Sequence, residues 1–182
     1  MTAKPHHNFQ HFLTRLPSVK TVRIEGMYYR LIPALRAQAI AETGGSFEFG
    51  GRFNPPNVFG GLYVSETALL AWSEIVKYYQ GRLELIPGHV LGDFELDITK
   101  TLDLTDSATR SALDIDVSDI TDATDRRVTQ WMGHAAWMMG IEAIKYPSSP
   151  LPERFNIVVF VDQLSAASRI IKRSVHPFKP PQ

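Results

Sequence analysis

Short runs with β-type patterning fall at residues 21–24, 28–32, 62–65, 89–98, 101–104, 141–146, 156–161 and 169–175. Helical patterning is confined to two longer stretches. The first covers 68–79, capped by Thr67 or Ser65 and apolar on most sides, which predicts a buried helix. The second covers 125–139 and ends at Gly140. Between 42 and 61 the pattern breaks into a loop-rich stretch with six glycines and the pair Pro55–Pro56. Residues 1–17 form a loose arm or a short helix, and Pro177, Pro180 and Pro181 close the chain in a tail. Strands and helices mix without regular βαβ alternation, which predicts a single α+β domain. Its expected parts are an arm over 1–20, a domain over 21–176 and a tail over 177–182.

Composition narrows the class. A chain of 182 residues with 44% hydrophobic and 21% charged residues buries enough surface to fold without staples. It has no cysteine, so a disulfide scaffold, a thiolate metal site and a cysteine nucleophile are excluded. That usage fits a cytoplasmic protein. No apolar signal segment opens the chain, and no run approaches the ~18 apolar residues of a membrane helix.

The 19 basic and 19 acidic residues cancel, which argues against a nucleic-acid binder. They are unevenly spread. Residues 93–125 carry ten acids and two bases, while 1–36 carry six bases and one acid. The acidic stretch reads either as a solvated segment or as a partner surface. His6, His7 and His11 cluster near the start, and a helix would place His7 and His11 on one face. No HExxH-type pattern frames them, so exposed terminal histidines are expected rather than a metal site.

No Walker loop, GxSxG elbow or dinucleotide fingerprint occurs. Four features remain. Tyr29-Arg30 ends a strand. Gly50-Gly51-Arg52-Phe53-Asn54 lies in the glycine-rich loop, where an arginine can fork onto a phosphate. Tyr63-Val64-Ser65 precedes the helix that carries Glu74. Tyr146-Pro147-Ser148-Ser149-Pro150 follows a strand. Taken singly, each has a plain structural reading. Arg52 fits a surface turn, Glu74 fits a wet helical stripe shared with Lys77, and Ser148 fits a turn.

As an ordered set, the four features resemble the RES-domain family, over about residues 27–161. Phe53 stands where the family usually has Trp. Residues 55–61 replace a shorter turn that often carries glycine at the Asn57 position. The resemblance implies a fold similar to ADP-ribosyltransferase toxins, with a twisted, mainly antiparallel sheet and flanking helices. It implies a toxin that degrades NAD+ by hydrolysis or phosphorolysis, with NAD+ as substrate, no cofactor and no metal. It implies Glu74, Arg52 and Ser148 as catalytic residues, and Arg30, Arg52, Tyr63 and Tyr29 as NAD+-binding residues. The implied partner is a Xre-type antitoxin, joined in an oligomeric complex, with no direct nucleic-acid contact by this chain and no membrane. Transfer of ADP-ribose to a protein, or a non-catalytic binding module on the same fold, are the alternatives.

Overall fold

A computed structural model describes residues 7–181. Six strands form one sheet: β1 (Val22–Pro33), β2 (Leu62–Ser65), β3 (His89–Asp103), β4 (Ala143–Pro147), β5 (Phe155–Val159) and β6 (Arg169–Pro177). Their order is β1-β2-β5-β4-β3-β6, and a further pairing of β1 with β3 closes the first five into a ring. Every pairing is antiparallel except β3–β4. This is the α+β, mainly antiparallel architecture expected, with the sheet curled into a barrel.

The seams of the ring differ in length. β3 pairs with β1 from Val22↔Thr101 to Pro33↔His89. Its other edge takes β6 over Val90–Asp97 and then β4 over Thr101–Asp103. By contrast, β1 meets β2 at a single pair, Tyr29↔Ser65. The expected strands 21–24 and 28–32 are one strand, and so are 89–98 and 101–104. The polar breaks that separate them in sequence, Glu25-Gly26 and Thr99-Lys100, lie within strands that pair across most of their length, so the ladder overrides local composition.

Period-two patterning places two cores on opposite faces. Ile157 and Val159 of β5 join Ile24, Val64, Phe94 and Ala143 in a cluster drawn from all five ring strands. Val158 and Phe160 point the other way, into a second cluster under the helices.

Among the described residues six α-helices flank the sheet: α1 (Phe9–Arg15), α2 (Gly44–Phe49), α3 (Ala68–Tyr78), α4 (Ser107–Leu113), α5 (Val117–Thr121) and α6 (Arg127–Met138). None of the described helices is long and apolar enough to cross a membrane. Helix α1 makes the described part of 1–17 the short helix of the two readings rather than the loose arm. Asn8 caps it, and Phe12 is fully buried in the helical core together with Leu16. Its histidines are not simply exposed. His7 is 8% exposed and bonds the Asp114 carbonyl, while His11 is half-buried and bonds the Leu113 carbonyl. His6 lies outside the described residues.

Helix α3 is capped by Thr67, as expected. It is not buried all round, because it lies on the outside of β1 and β2 and packs one face only. Leu70 and Ala71 are buried, whereas Leu69 and Tyr78 are 56% and 78% exposed. Helix α6 ends at Gly140, whose φ of 71° is the left-handed stop that glycine accepts.

The acidic segment is neither a bare rim nor irregular. It holds the end of β3 and the helices α4 and α5, and its acids are engaged locally. Asp106 caps α4, and Asp116 and Asp119 form a capping box on α5. Asp97 pairs with Arg23 and Arg169, Asp103 with Lys145, Glu95 with Arg173, and Asp125 with Arg127. The Arg127 side chain, helped by its backbone N–H, holds the Asp125 carboxyl down to about 2.

Candidate active site

Two adjoining cavities, of about 340 and 460 Å3, open where β1 and β2 diverge. They share Arg30, Arg52, Tyr63, Glu74 and Tyr146, and Tyr29 lines the first. The structure therefore brings together the sequence features at 29–30, 52, 63 and 74. Ser148 lies beneath them. It is fully buried and reaches the cavity only through Glu74.

The loop that carries Arg52 is held from several sides. Asn54 is buried and has its whole amide engaged. Its nitrogen donates to the carbonyls of Ser46 (2.7 Å) and Phe59 (2.9 Å), and its oxygen accepts from the Tyr63 hydroxyl (2.8 Å). The Phe53 amide donates to that same hydroxyl at 3.0 Å. Gln130 of α6 donates to the Gly51 carbonyl at 2.9 Å. A Cβ on Gly133 would lie 1.8 Å from the Phe53 carbonyl oxygen, so α6 and the loop approach as closely as they do only because position 133 is glycine. Phe53 itself is fully buried against Tyr146. The longer turn 55–61 keeps the backbone that glycine would favour. Asn57 sits at φ 60°, a conformation that asparagine tolerates.

Arg52 is aimed by α5. Its Nη1 donates to the carbonyls of Ile120 (2.5 Å) and Asp122 (2.8 Å), which closes the open end of that helix. The rest of its guanidinium fork has no protein partner among the described residues. Arg30 donates to the Glu42 carbonyl at 3.2 Å. Burial, reinforced by neighbouring Arg36, lowers it to about 10, so it remains charged at neutral pH. Arg36 and Arg126 complete four arginines around the larger cavity, against Glu42 and Glu74. Such a surplus of forked donors suits a phosphorylated anion.

Glu74 is half-buried on α3. Ser148 Oγ donates to its Oε1 at 2.9 Å and Asn156 Nδ2 donates to the same oxygen at 2.6 Å. Asn156 is fixed in turn by Ser65, whose hydroxyl donates to its amide oxygen at 2.7 Å. Oε2 of Glu74 has no donor among the described residues. The supposed wet stripe of α3 faces the serine turn instead, since Lys77 Nζ bonds Ser149 Oγ. Below, burial pushes the Tyr146 hydroxyl well up, with Tyr63 and Glu74 adding to it. Burial likewise raises Tyr63. Both phenols are neutral around the carboxylate.

Sequence reasoning missed Asn156, Arg36 and Arg126 as members of the site, and it gave Tyr146 no role of its own although that residue opens the 146–150 feature. Asn156 left a trace, being the one polar residue in the buried run Phe155–Val159. The two arginines left none.

The RES domain profile matches residues 27–179. The NAD(+) phosphorylases MbcT of Mycobacterium bovis and Mycobacterium tuberculosis are each 28% identical over 140 residues, which is 74% of this chain and 74% of theirs. The crystal structure of the M. tuberculosis MbcT–MbcA toxin–antitoxin complex shares the fold, with a TM-score of 0.80 at 24% identity over 93% of this chain and 92% of that one. The ordered motifs, the shared fold and a profile spanning most of the sequence agree: the chain belongs to the RES-domain family.

Proposed function

We propose that this chain cleaves the nicotinamide–ribose bond of NAD+ and acts as the toxin of a toxin–antitoxin pair. The observation that carries this reading is the pairing, within one cavity, of a half-satisfied carboxylate with a cluster of arginines. Breaking the glycosidic bond sends its electron pair to the pyridinium nitrogen, so nicotinamide leaves neutral and needs no general acid. The ribose passes through an oxocarbenium-like state. Glu74 Oε2 is free to bond the ribose hydroxyls and to stabilise that positive charge. Arg52 and Arg30 hold the pyrophosphate by their forks. Tyr29 and Tyr63 wall the nicotinamide side. Ser148 acts through Glu74, fixing the carboxylate rather than touching the substrate.

The acceptor oxygen then bonds the ribose carbon. Phosphate is the acceptor favoured here, because the relatives are NAD(+) phosphorylases and the cavity holds more arginines than one pyrophosphate requires. Water gives the hydrolytic version of the same step. The curled, mainly antiparallel sheet with its cleft supports a fold similar to that of ADP-ribosyltransferases. The protein partner is a Xre-type antitoxin that covers the cavities within an oligomeric complex and leaves this chain no direct contact with DNA.

The test is NAD+ consumption by purified protein, with products resolved with and without phosphate. ADP-ribose carrying a new phosphate, formed only when phosphate is present, supports phosphorolysis. Intact NAD+ under both conditions overturns the enzymatic reading in favour of a binding module.

A further inference from the structure

His7 and His11 have no part in the cavity described above. They meet the C-terminal end of α4. One ring nitrogen of His7, one of His11 and a carboxylate oxygen of Asp114 all lie within 4.8 Å of one another. His7 is buried, His11 is half-buried and Asp114 is exposed, so the cluster is walled on one side and open on the other.

Both rings are hydrogen-bonded to backbone carbonyls at the end of α4. His7 Nε2 is 2.5 Å from the Asp114 carbonyl and His11 Nε2 is 2.9 Å from the Leu113 carbonyl. A carbonyl only accepts, so each Nε2 is the protonated nitrogen and each Nδ1 keeps its lone pair. Ring N–H groups anchored on backbone carbonyls are the usual outer support of metal-bound imidazoles. The two rings stand edge to face, with centroids 4.9 Å apart. Asp114 adopts φ 60° as the cap of α4.

We propose that His7, His11 and Asp114 bind one transition-metal cation of the Zn2+ class, with water completing the shell. Two imidazoles and one carboxylate suit Zn2+, Ni2+ or Cu2+ far better than Mg2+ or Ca2+. Bond lengths of about 2.0–2.2 Å require the three groups to draw together by somewhat over 1 Å. Each imidazole binds through its free nitrogen or exchanges its carbonyl bond for the metal. The metal competes with Arg15, which stands 4.0 Å from the Asp114 carboxylate. It would add a staple between α1 and the end of α4, two elements already joined by the bonds of His11 to the Leu113 carbonyl and of Arg15 to the Ala112 carbonyl. None of the three residues lines the NAD+ cavities, so the effect belongs to stability rather than turnover.

The experiment uses the full chain without an affinity tag. Zn2+ is titrated calorimetrically, and thermal unfolding is followed with Zn2+, Mg2+ or chelator. One equivalent of Zn2+ should bind, the melting midpoint should rise, chelator should reverse the rise, and Mg2+ should do nothing. His11→Gln and Asp114→Asn should each weaken Zn2+ by at least about tenfold. Both sites are open enough for the variants to fold, and asparagine keeps the left-handed backbone of residue 114. Circular dichroism checks the fold. Absence of saturable Zn2+ binding overturns the site, and so does full affinity in either variant.

Discussion

Glu142 and Glu74 are both drawn into this fold, and the protein treats them differently. Glu142, between α6 and β4, is 1% exposed and saturated. Its Oε1 accepts from the Ser165 amide, and its Oε2 accepts from Thr99, Lys100 and Ser168. Burial alone would raise this carboxyl, but the bonds from Ser165, Ser168 and Lys100 outweigh it and lower it to about 2. Glu74 receives two donors, both on one oxygen. A carboxylate bonded through both oxygens is a fastener. One held by a single oxygen at the wall of a cavity keeps the other oxygen for a ligand.

Exchanging charge for amide separates the two most sharply. Glu74→Gln should leave thermal stability nearly unchanged and lower kcat for NAD+ loss by about 10²–10³, equivalent to ~3–4 kcal/mol of barrier. Wild-type turnover in the folded variant would make Glu74 a fastener too. Glu142→Gln should do the reverse, destabilising by about 3 kcal/mol while the folded fraction keeps its turnover. Denaturant unfolding checks it. The same group predicts a pH effect. Its folded value lies below its ordinary 4.5, so its stabilisation is complete above that pH and fades as pH falls towards 2. In Glu142→Gln, that part of the acid sensitivity should disappear.

Smaller effects test what aims the free oxygen. Arg52→Lys loses the planar fork while keeping the charge, and should raise KM for NAD+ about tenfold with little change in kcat. An unchanged KM would assign the pyrophosphate to Arg30, Arg36 and Arg126. Asn156→Leu removes one charge-assisted donor from Oε1. It should lower kcat severalfold with little change in KM for NAD+. Lower stability with an unchanged kcat would mean that Asn156 only fills space.

Much of this was legible in the sequence because it is local or ordered. The strands followed their patterning, Thr67 capped α3, Gly140 ended α6, and the motif order located the cavity. What stayed hidden depends on partners far away in the chain. Asn156 reaches Glu74 across 82 residues and Arg52 reaches Ile120 across 68. The polar breaks in β1 and β3 hid their continuity, because backbone pairing does not consult side chains. For 1–17 the sequence itself favours the short helix over the loose arm. Phe9, Phe12, Leu13 and Leu16 follow the i, i+3, i+4, i+7 spacing of a packed helical face. The acidic stretch misled in another way. A count of charges cannot separate caps and ion pairs from a free surface.

The lone Tyr29↔Ser65 pair between β1 and β2 makes the barrel a split collar. Every other seam of the ring would surrender several backbone bonds before parting, whereas this one holds by a single register position. The lowest-energy breathing motion of the sheet is therefore located at the cavity mouth. A dinucleotide reaching from Arg30 on one lip to Tyr63 on the other would act as the missing clasp. Substrate binding and closure of the barrel would then be one event, visible as slowed amide exchange at the two lips.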